Sequence, residues 1–150
     1  MGLLGITIPE SKGGIGGSLT DAVLAIQAIA EVCPRSADVV QAGNFGAIRT
    51  FAEYANADQL ARFLPDLLAG KGVMSVGMSE PDAGSSVTEL KTSATPDGDD
   101  FLVNGSKVFG TNSGDAKVFL IYLRFGPGTE GIGSALIEKA RPVLRLARAI

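Results

Sequence analysis

The sequence contains no histidine and no tryptophan, and only one cysteine among its 150 residues. Without histidine there is no Ser-His-Asp triad and no Cys-His pair to activate a nucleophile. Most zinc and non-haem iron sites are excluded on the same ground. Cys33 cannot close an intrachain disulfide alone. It falls in an apolar helical pattern and is expected as a small core residue. Long hydrophobic runs are also lacking. The longest wholly apolar run, Val118 to Leu123, falls far short of the roughly 20 residues of a membrane-spanning helix. No basic start followed by a sustained apolar stretch marks a signal peptide, so a cytoplasmic protein is the default expectation. Positive charge is scarce: 13 Lys and Arg stand against 16 Asp and Glu, a net charge of -3. An acidic chain of this kind does not attract phosphate backbones, so nucleic acid is not an expected partner. There is no GxxxxGK[ST] loop, and Gly13-Gly14-Ile15-Gly16-Gly17 does not complete a GxGxxG. That cluster is expected to be a flexible loop rather than a phosphate cradle.

What is present is material for a core, since 45% of the residues are hydrophobic. The pattern changes character near Gly70. Before it the spacing is helical. Ser18 with Asp21 resembles a capping box opening a helix over Leu19 to Val32, which Pro34 stops. Ser36 is expected to cap a second helix, carried by Val40, Asn44, Ala47, Ile48, Phe51 and Tyr54 at spacings of three and four. Asn56 with Gln59 opens a third, with Leu60, Phe63, Leu64, Leu67 and Leu68 as its apolar stripe. Pro65 is expected to kink or divide this helix, and Gly70 to end it.

After Gly70 the period becomes two. Met74, Val76 and Met78 alternate with Ser75, Gly77 and Ser79, as in a half-buried strand. Leu90, Thr92 and Ala94 alternate with Lys91 and Ser93. Asp97-Gly98 is a turn signal. Phe101 to Val103 and Ser106 to Phe109 flank Asn104-Gly105, which predicts a hairpin because both residues tolerate positive φ. Lys117 to Arg124 is apolar on both faces and reads as a buried strand. Gly126-Pro127-Gly128 then turns the chain into Ile132 to Glu138. Helices followed by strands predict an α+β fold, with a small antiparallel β-barrel or sandwich as its second part.

Two stretches concentrate polar turn chemistry: Met78 to Ser86, and Lys107-Val108-Phe109-Gly110-Thr111-Asn112. Taken singly, each has an ordinary reading. On spacing, Ser79 is a solvent-facing strand residue and Ser85 stabilises a turn. On pattern, Phe109 belongs in a core, and Thr111 and Asn112 end a strand.

Taken in order, the motifs resemble the acyl-CoA dehydrogenase family. The likeness begins at Gly5-Ile6-Thr7-Ile8-Pro9-Glu10 with Gly13-Gly14. It continues through Leu64-Pro65-Asp66-Leu67-Leu68-Ala69-Gly70, Ser79-Glu80-Pro81 to Gly84-Ser85, and Asp97-Gly98-Asp99. Asn104-Gly105-Ser106-Lys107 and Thr111-Asn112 follow, and the likeness ends at Glu138-Lys139. The resemblance implies a partial N-terminal helical domain over 1–70 and a middle β-domain over 71–139. It implies FAD as cofactor and the α,β-dehydrogenation of an acyl-CoA thioester. Carried over by motif position, Met78 and Ser79 approach the flavin ring. Gly84 and Ser85 lie near the pyrophosphate, with Ser85 also near the substrate's pantetheine arm. Phe109 lies against the flavin, and Thr111 donates to it near the hydride-accepting nitrogen. Glu80 has a structural place in the turn, no catalytic residue is assigned, and no metal is expected.

The family also implies an electron-transfer acceptor and a homo-oligomer for the full-length protein. Its catalytic carboxylate belongs to a C-terminal helical domain that nothing here matches. The 150 residues alone are therefore expected to be colourless and inactive. An acyl-CoA oxidase or flavin monooxygenase on the same scaffold is an alternative, as is a non-catalytic remnant or binding subunit. Ser86 stands where the family usually has Asp. Residues 140–150 diverge: the family's Gly-x-Pro-Gly-Phe-x-x-Gly is replaced by Ala140-Arg141-Pro142-Val143-Leu144-Arg145-Leu146. A coding strand for Gly-Ala-Pro-Gly-Phe-Thr-Ile-Gly, read one base later, yields that same run. The tail is therefore expected to be out of frame, which the coding DNA tests.

Overall fold

A computed structural model describes residues 2–139; residues 140–150, where an out-of-frame tail is expected, lie outside the described residues. The chain divides into two compact units between Val73 and Met74.

The first unit is helical, and its helix ends follow local chemistry. Helix α1, Leu19–Ala30, opens on a reciprocal box. The Asp21 N–H donates to Ser18 Oγ at 3.1 Å, and the Ser18 N–H donates to Asp21 Oδ2 at 2.7 Å. The helix stops two residues before the expected Val32. Cys33 is exposed rather than in the core. It precedes a proline, which bars it from helical backbone and leaves it extended (φ -147°, ψ 95°) between two helices. Helix α2, Pro34–Phe45, begins at Pro34, where the missing N–H is not needed. The expected cap, Ser36, instead donates to Cys33 Sγ at 3.2 Å.

The long helical spacing after Val40 is broken at Gly46 (φ -108°, ψ -141°), so α3, Ala47–Tyr54, is a separate helix. A Cβ at Gly46 would sit 2.6 Å from the Ala42 carbonyl oxygen, so only glycine fits the break. Helix α4, Ala57–Leu68, opens on the Asn56–Gln59 box and runs through Pro65 undivided. Pro65 lies close to the C-terminal end, where losing its N–H removes a single rung. Gly70 adopts φ 70° and closes the helix as a Schellman motif. Its N–H donates to the Leu67 carbonyl at 3.1 Å, and the Lys71 N–H to that of Asp66 at 2.9 Å.

Ile6, Ala22 and Val40 are buried together, with Leu3, Ala25, Ile26 and Ile29 packed against them. Phe51 and Phe63 meet edge to face at 6.3 Å. Asn44 is fully buried and fully used. Its Nδ2 donates to the Leu3 carbonyl at 2.7 Å and to that of Val40 at 2.9 Å, while Oδ1 accepts the Thr7 N–H at 3.0 Å. The Gly13–Gly17 run is not a flexible loop. The N–H groups of Gly14, Ile15, Gly16 and Gly17 donate to the carbonyls of Pro9, Gly5, Ile8 and Ile6. A Cβ at Gly14 would fall 2.0 Å from the Ile8 oxygen. These amides are spent on the chain itself.

The second unit is a five-stranded mixed sheet comprising β1 (Met74–Gly77), β2 (Ser93–Asp97), β3 (Asp100–Asn104), β4 (Val118–Arg124) and β5 (Ile132–Glu138). The α+β class holds, but the sheet is not purely antiparallel. Strand β5 pairs antiparallel with the whole of β4, from Val118↔Glu138 to Arg124↔Ile132. Strand β1 runs parallel to the first half of β4, and β2 meets its end at Ser93↔Arg124. Strand β4 is buried along most of its length, as its apolar sequence predicts.

Three local expectations fail. Ser75 and Gly77 of β1 are as buried as Met74, because β1 is covered on both faces. The strand expected from Leu90 begins only at Ser93, after a short turn of helix at Val87–Glu89. The hairpin turns at Asp97–Asp100, with Gly98 at φ 63°, and not at Asn104-Gly105. Gly105 instead passes so close to Thr92 that a Cβ would lie 2.3 Å from its hydroxyl. Ser106 to Phe109 is consequently not a strand. Arg124 closes the sheet: its backbone N–H donates to the Thr92 carbonyl at 2.8 Å and its Nε to that of Leu90 at 2.7 Å. Its guanidinium also reaches the carbonyls of Thr88 and Gly128.

Asn44→Leu should destabilise the helical unit more than loss of a cap. It keeps the volume but leaves the Thr7 N–H and Leu3 carbonyl without their partner, a loss of about 2 kcal/mol or more. Asn56→Ala, which removes an exposed cap, should cost about 1 kcal/mol. Urea unfolding followed by circular dichroism orders the two; equal midpoints would show that the Asn44 bonds contribute little.

Candidate functional site

The two polar stretches singled out in the sequence meet beyond the end of β1. Residues Glu80 to Ala83 form a tight turn, with the Glu80 N–H on the Ala83 carbonyl at 3.0 Å and the Ala83 N–H on the Glu80 carbonyl at 3.2 Å. The Glu80 side chain is only 7% exposed. Its carboxylate accepts the Lys91 N–H at 2.6 Å, the Thr92 N–H at 2.9 Å and the Lys107 Nζ at 2.8 Å. The same ammonium donates to the Met78 carbonyl at 2.9 Å. Burial raises the Glu80 pKa. The Lys107 ammonium, the neighbouring Thr92 hydroxyl and the two backbone N–H groups outweigh it and hold the carboxyl at about 2.

This network sets the approach of the second stretch. The Val108 N–H donates to the Ser79 carbonyl at 2.9 Å, so Phe109 emerges next to Met78 and Ser79. Phe109 has φ 56°, in the left-handed region, and its side chain is 91% exposed. The core alternative for Phe109 is thus excluded. Ser79 is half-buried, neither core nor freely solvated. Thr111 lies in a turn, exposed, and its carbonyl accepts the Ser75 hydroxyl at 2.7 Å. The segment from Val108 to Thr111 is thereby tied at one end to Ser79, just past β1, and at the other to Ser75 within β1.

Gly84 and Ser85 are exposed in the bend after the Glu80–Ala83 turn. Among the described residues no hydrogen bond ties either one to the Lys107–Asn112 segment. Nothing lies within 4 Å of where a Gly84 Cβ would be, so the bend leaves open space around that backbone. A cleft of 340 Å³ opens beside Glu80 and is lined by Lys91, Thr92, Asn104, Gly105 and Ser106 among others, none of them a predicted site residue. Sequence reasoning gave no role to Ser75 or Lys107. Both act through partners far along the chain, and their local spacing carries no trace of that.

The sequence model of the acyl-CoA dehydrogenase middle domain matches residues 75–149, and that of the N-terminal domain matches residues 1–71. The chain belongs to the acyl-CoA dehydrogenase family. It is 35% identical over 150 residues to the mitochondrial isobutyryl-CoA dehydrogenase of Dictyostelium discoideum, covering 99% of this chain and 36% of that one. A crystal structure of a probable acyl-CoA dehydrogenase from Mycobacterium abscessus superposes with a TM-score of 0.87 at 35% identity, covering 99% of this chain and 40% of that one. The FAD complex of PigA superposes with a TM-score of 0.92 at 26% identity, again over 99% of this chain and 40% of that one. The chain thus spans about a third of the length of the curated relatives it matches. No helix among the described residues is long and apolar enough to cross a membrane.

In this chain the Glu80–Lys107 pair should show itself in acid. The Glu80 carboxyl titrates near 4.5 when unfolded and near 2 when folded. Its contribution to stability is complete above about 4.5 and lost as pH falls towards 2, because the unfolded chain binds the proton first. Glu80→Gln should flatten the pH dependence of unfolding in that window while lowering stability at neutral pH. An acid limb as steep as that of the wild type would show that other carboxylates carry it.

Proposed function

We propose that this chain forms one wall of an FAD site in an enzyme that dehydrogenates an acyl-CoA thioester. The observation that supports the reading is the backbone pairing of Val108 with Ser79, which brings the chain just before the exposed Phe109 alongside the residues that follow β1. Met78 and Ser79 would hold the edge of the flavin ring through backbone and hydroxyl groups. Phe109 would pack against its face, and Thr111 would donate near the nitrogen that accepts hydride. A strained, exposed aromatic is costly unless something covers it, and a flat heterocycle is a suitable cover. Gly84 and Ser85 would take the pyrophosphate, with Ser85 also reaching the pantetheine arm. The space around Gly84 admits close approach of a ligand to the backbone there.

When bound, FAD would supply the two-electron redox chemistry that a dehydrogenation needs. The chain's own residues orient and bind. Glu80 is not offered as the carboxylate that takes the α-proton, because its oxygens are committed to Lys91, Thr92 and Lys107. The domain reading, a partial helical domain over 1–70 and a middle β-domain over 71–139, belongs to the same proposal. So do a separate electron acceptor and a homo-oligomer for the full-length enzyme.

The test is an FAD titration of the purified chain, read by flavin absorbance and fluorescence, with an acyl-CoA and an artificial electron acceptor added afterwards. The protein should purify colourless, take up added FAD weakly and show no turnover. Phe109→Ala should weaken uptake by about tenfold, the value of one aromatic stacking contact, and Thr111→Val by less. A chain that takes up no FAD, or takes it up equally well in both variants, would defeat the reading.

A further inference from the structure

Ser75 is 2% exposed, on a strand otherwise made of Met, Val and Gly. Its backbone is engaged with β4, in register with Phe119. A buried hydroxyl without a partner is costly, and this one donates to the Thr111 carbonyl at 2.7 Å. That bond joins residues 36 positions apart. It therefore fixes a loop from outside the loop.

The loop has reason to need fixing. Phe109 and Asn112 lie on either side of Gly110 and Thr111 at φ 56° and φ 60°. Left-handed backbone is strained for an L-residue, less so for asparagine, which bonds locally. Such conformations persist where surrounding contacts over-determine them. Within the loop, the Ser113 N–H donates to the Gly110 carbonyl at 3.1 Å. The Asp115 and Ala116 N–H groups donate to the Asn112 carbonyl at 3.1 and 2.9 Å. From the sheet, the Val108 N–H on Ser79 ties one end, and the Ser75 hydroxyl ties the middle. Gly110 lies directly over this contact, its Cβ position 3.5 Å from Ser75 Oγ. With the carbonyl of Thr111 drawn into the sheet, the rest of that residue is left exposed.

We propose that Ser75 is a positioning residue: its buried hydroxyl holds the Thr111 carbonyl and so sets how the Thr111 side chain is presented to the flavin edge. This rests on the flavin reading for what Thr111 faces, but not for the tether itself. Ser75 touches neither cofactor nor substrate; it acts through Thr111.

The experiment is Ser75→Ala, which removes one oxygen without opening a cavity worth a methyl group. Amide hydrogen exchange is measured first, without cofactor. Loss of the tether should speed exchange at Ser113, Asp115 and Ala116 by roughly two- to tenfold, the span of one net hydrogen bond. The β4 amides from Val118 to Leu123 should keep their wild-type rates. Visible absorption of FAD added to saturation is measured second, and its bands should shift relative to those of the wild type, which a merely structural role would not produce. Unchanged loop exchange would overturn the tether. So would loop and β4 rates rising together, which means general loosening. Changed loop exchange with an identical spectrum of bound FAD would overturn the role towards the flavin. If the wild type binds no FAD, the flavin reading falls, and the exchange rates alone decide whether Ser75 positions Thr111.

Discussion

A buried carboxylate has to be satisfied, and in this protein much else follows from how Glu80 is satisfied. Three segments converge on it: the entry to β2 through the Lys91 and Thr92 amides, the crossing segment through Lys107, and its own turn through Ala83. The second bond of Lys107, to the Met78 carbonyl, extends the arrangement to the end of β1. The relative placement of residues 78–80, 91–92 and 107–108 is therefore one electrostatic solution rather than three independent packings. Buried ion pairs of this kind contribute little net stability, because desolvation offsets attraction. Their effect is to penalise every arrangement in which a partner is missing. Here the penalty falls on any register that would separate Ser79 from Val108.

The features that were legible in the sequence are those whose cause is local. Both capping boxes lie within three residues of their partners, and the Gly70 terminator acts within its own turn. Strand β4 announces itself because a strand covered on both faces has to be apolar throughout. The misreadings share the opposite property. Asn104-Gly105 has the composition of a hairpin turn, yet Gly105 is required for a close approach to Thr92, thirteen residues earlier in the sequence. Ser75 alternates like a surface residue, but its face is covered by a loop that begins more than thirty residues later. Cys33 sits in apolar company along the chain, while Pro34 after it forces the backbone out of the helix and the side chain into solvent.

The candidate site lies between these cases. No single residue in it was distinctive: by composition Phe109 is a core residue and Ser79 a strand residue. The order of motifs carried the family, and the family carried the roles. What the order could not convey is the state of Phe109, bulky, solvent-facing and in left-handed backbone. A non-glycine positive φ leaves no mark in a sequence unless asparagine or glycine fills the position. Gly110, the glycine next to it, has no positive φ at all.

The same electrostatics bear on where the proton chemistry of the proposed reaction resides. A general base works best when its pKa lies near the operating pH. Glu80, the carboxylate closest in sequence to the proposed flavin contacts, is held at about 2 by the Lys107 ammonium, the neighbouring Thr92 hydroxyl and two backbone N–H groups, which together outweigh its burial. The grip that makes it a good structural ion makes it a poor acceptor of a proton at neutral pH. Freeing it would require removing Lys107 from its carboxylate and displacing the β2 entry, which would disturb the wall that presents Phe109 and Thr111. A residue cannot serve both as the fixed point of this wall and as its moving proton acceptor. Under the proposed function, the second unit is therefore a positioning surface, and the carboxylate that takes the α-proton has to be one in looser surroundings than Glu80.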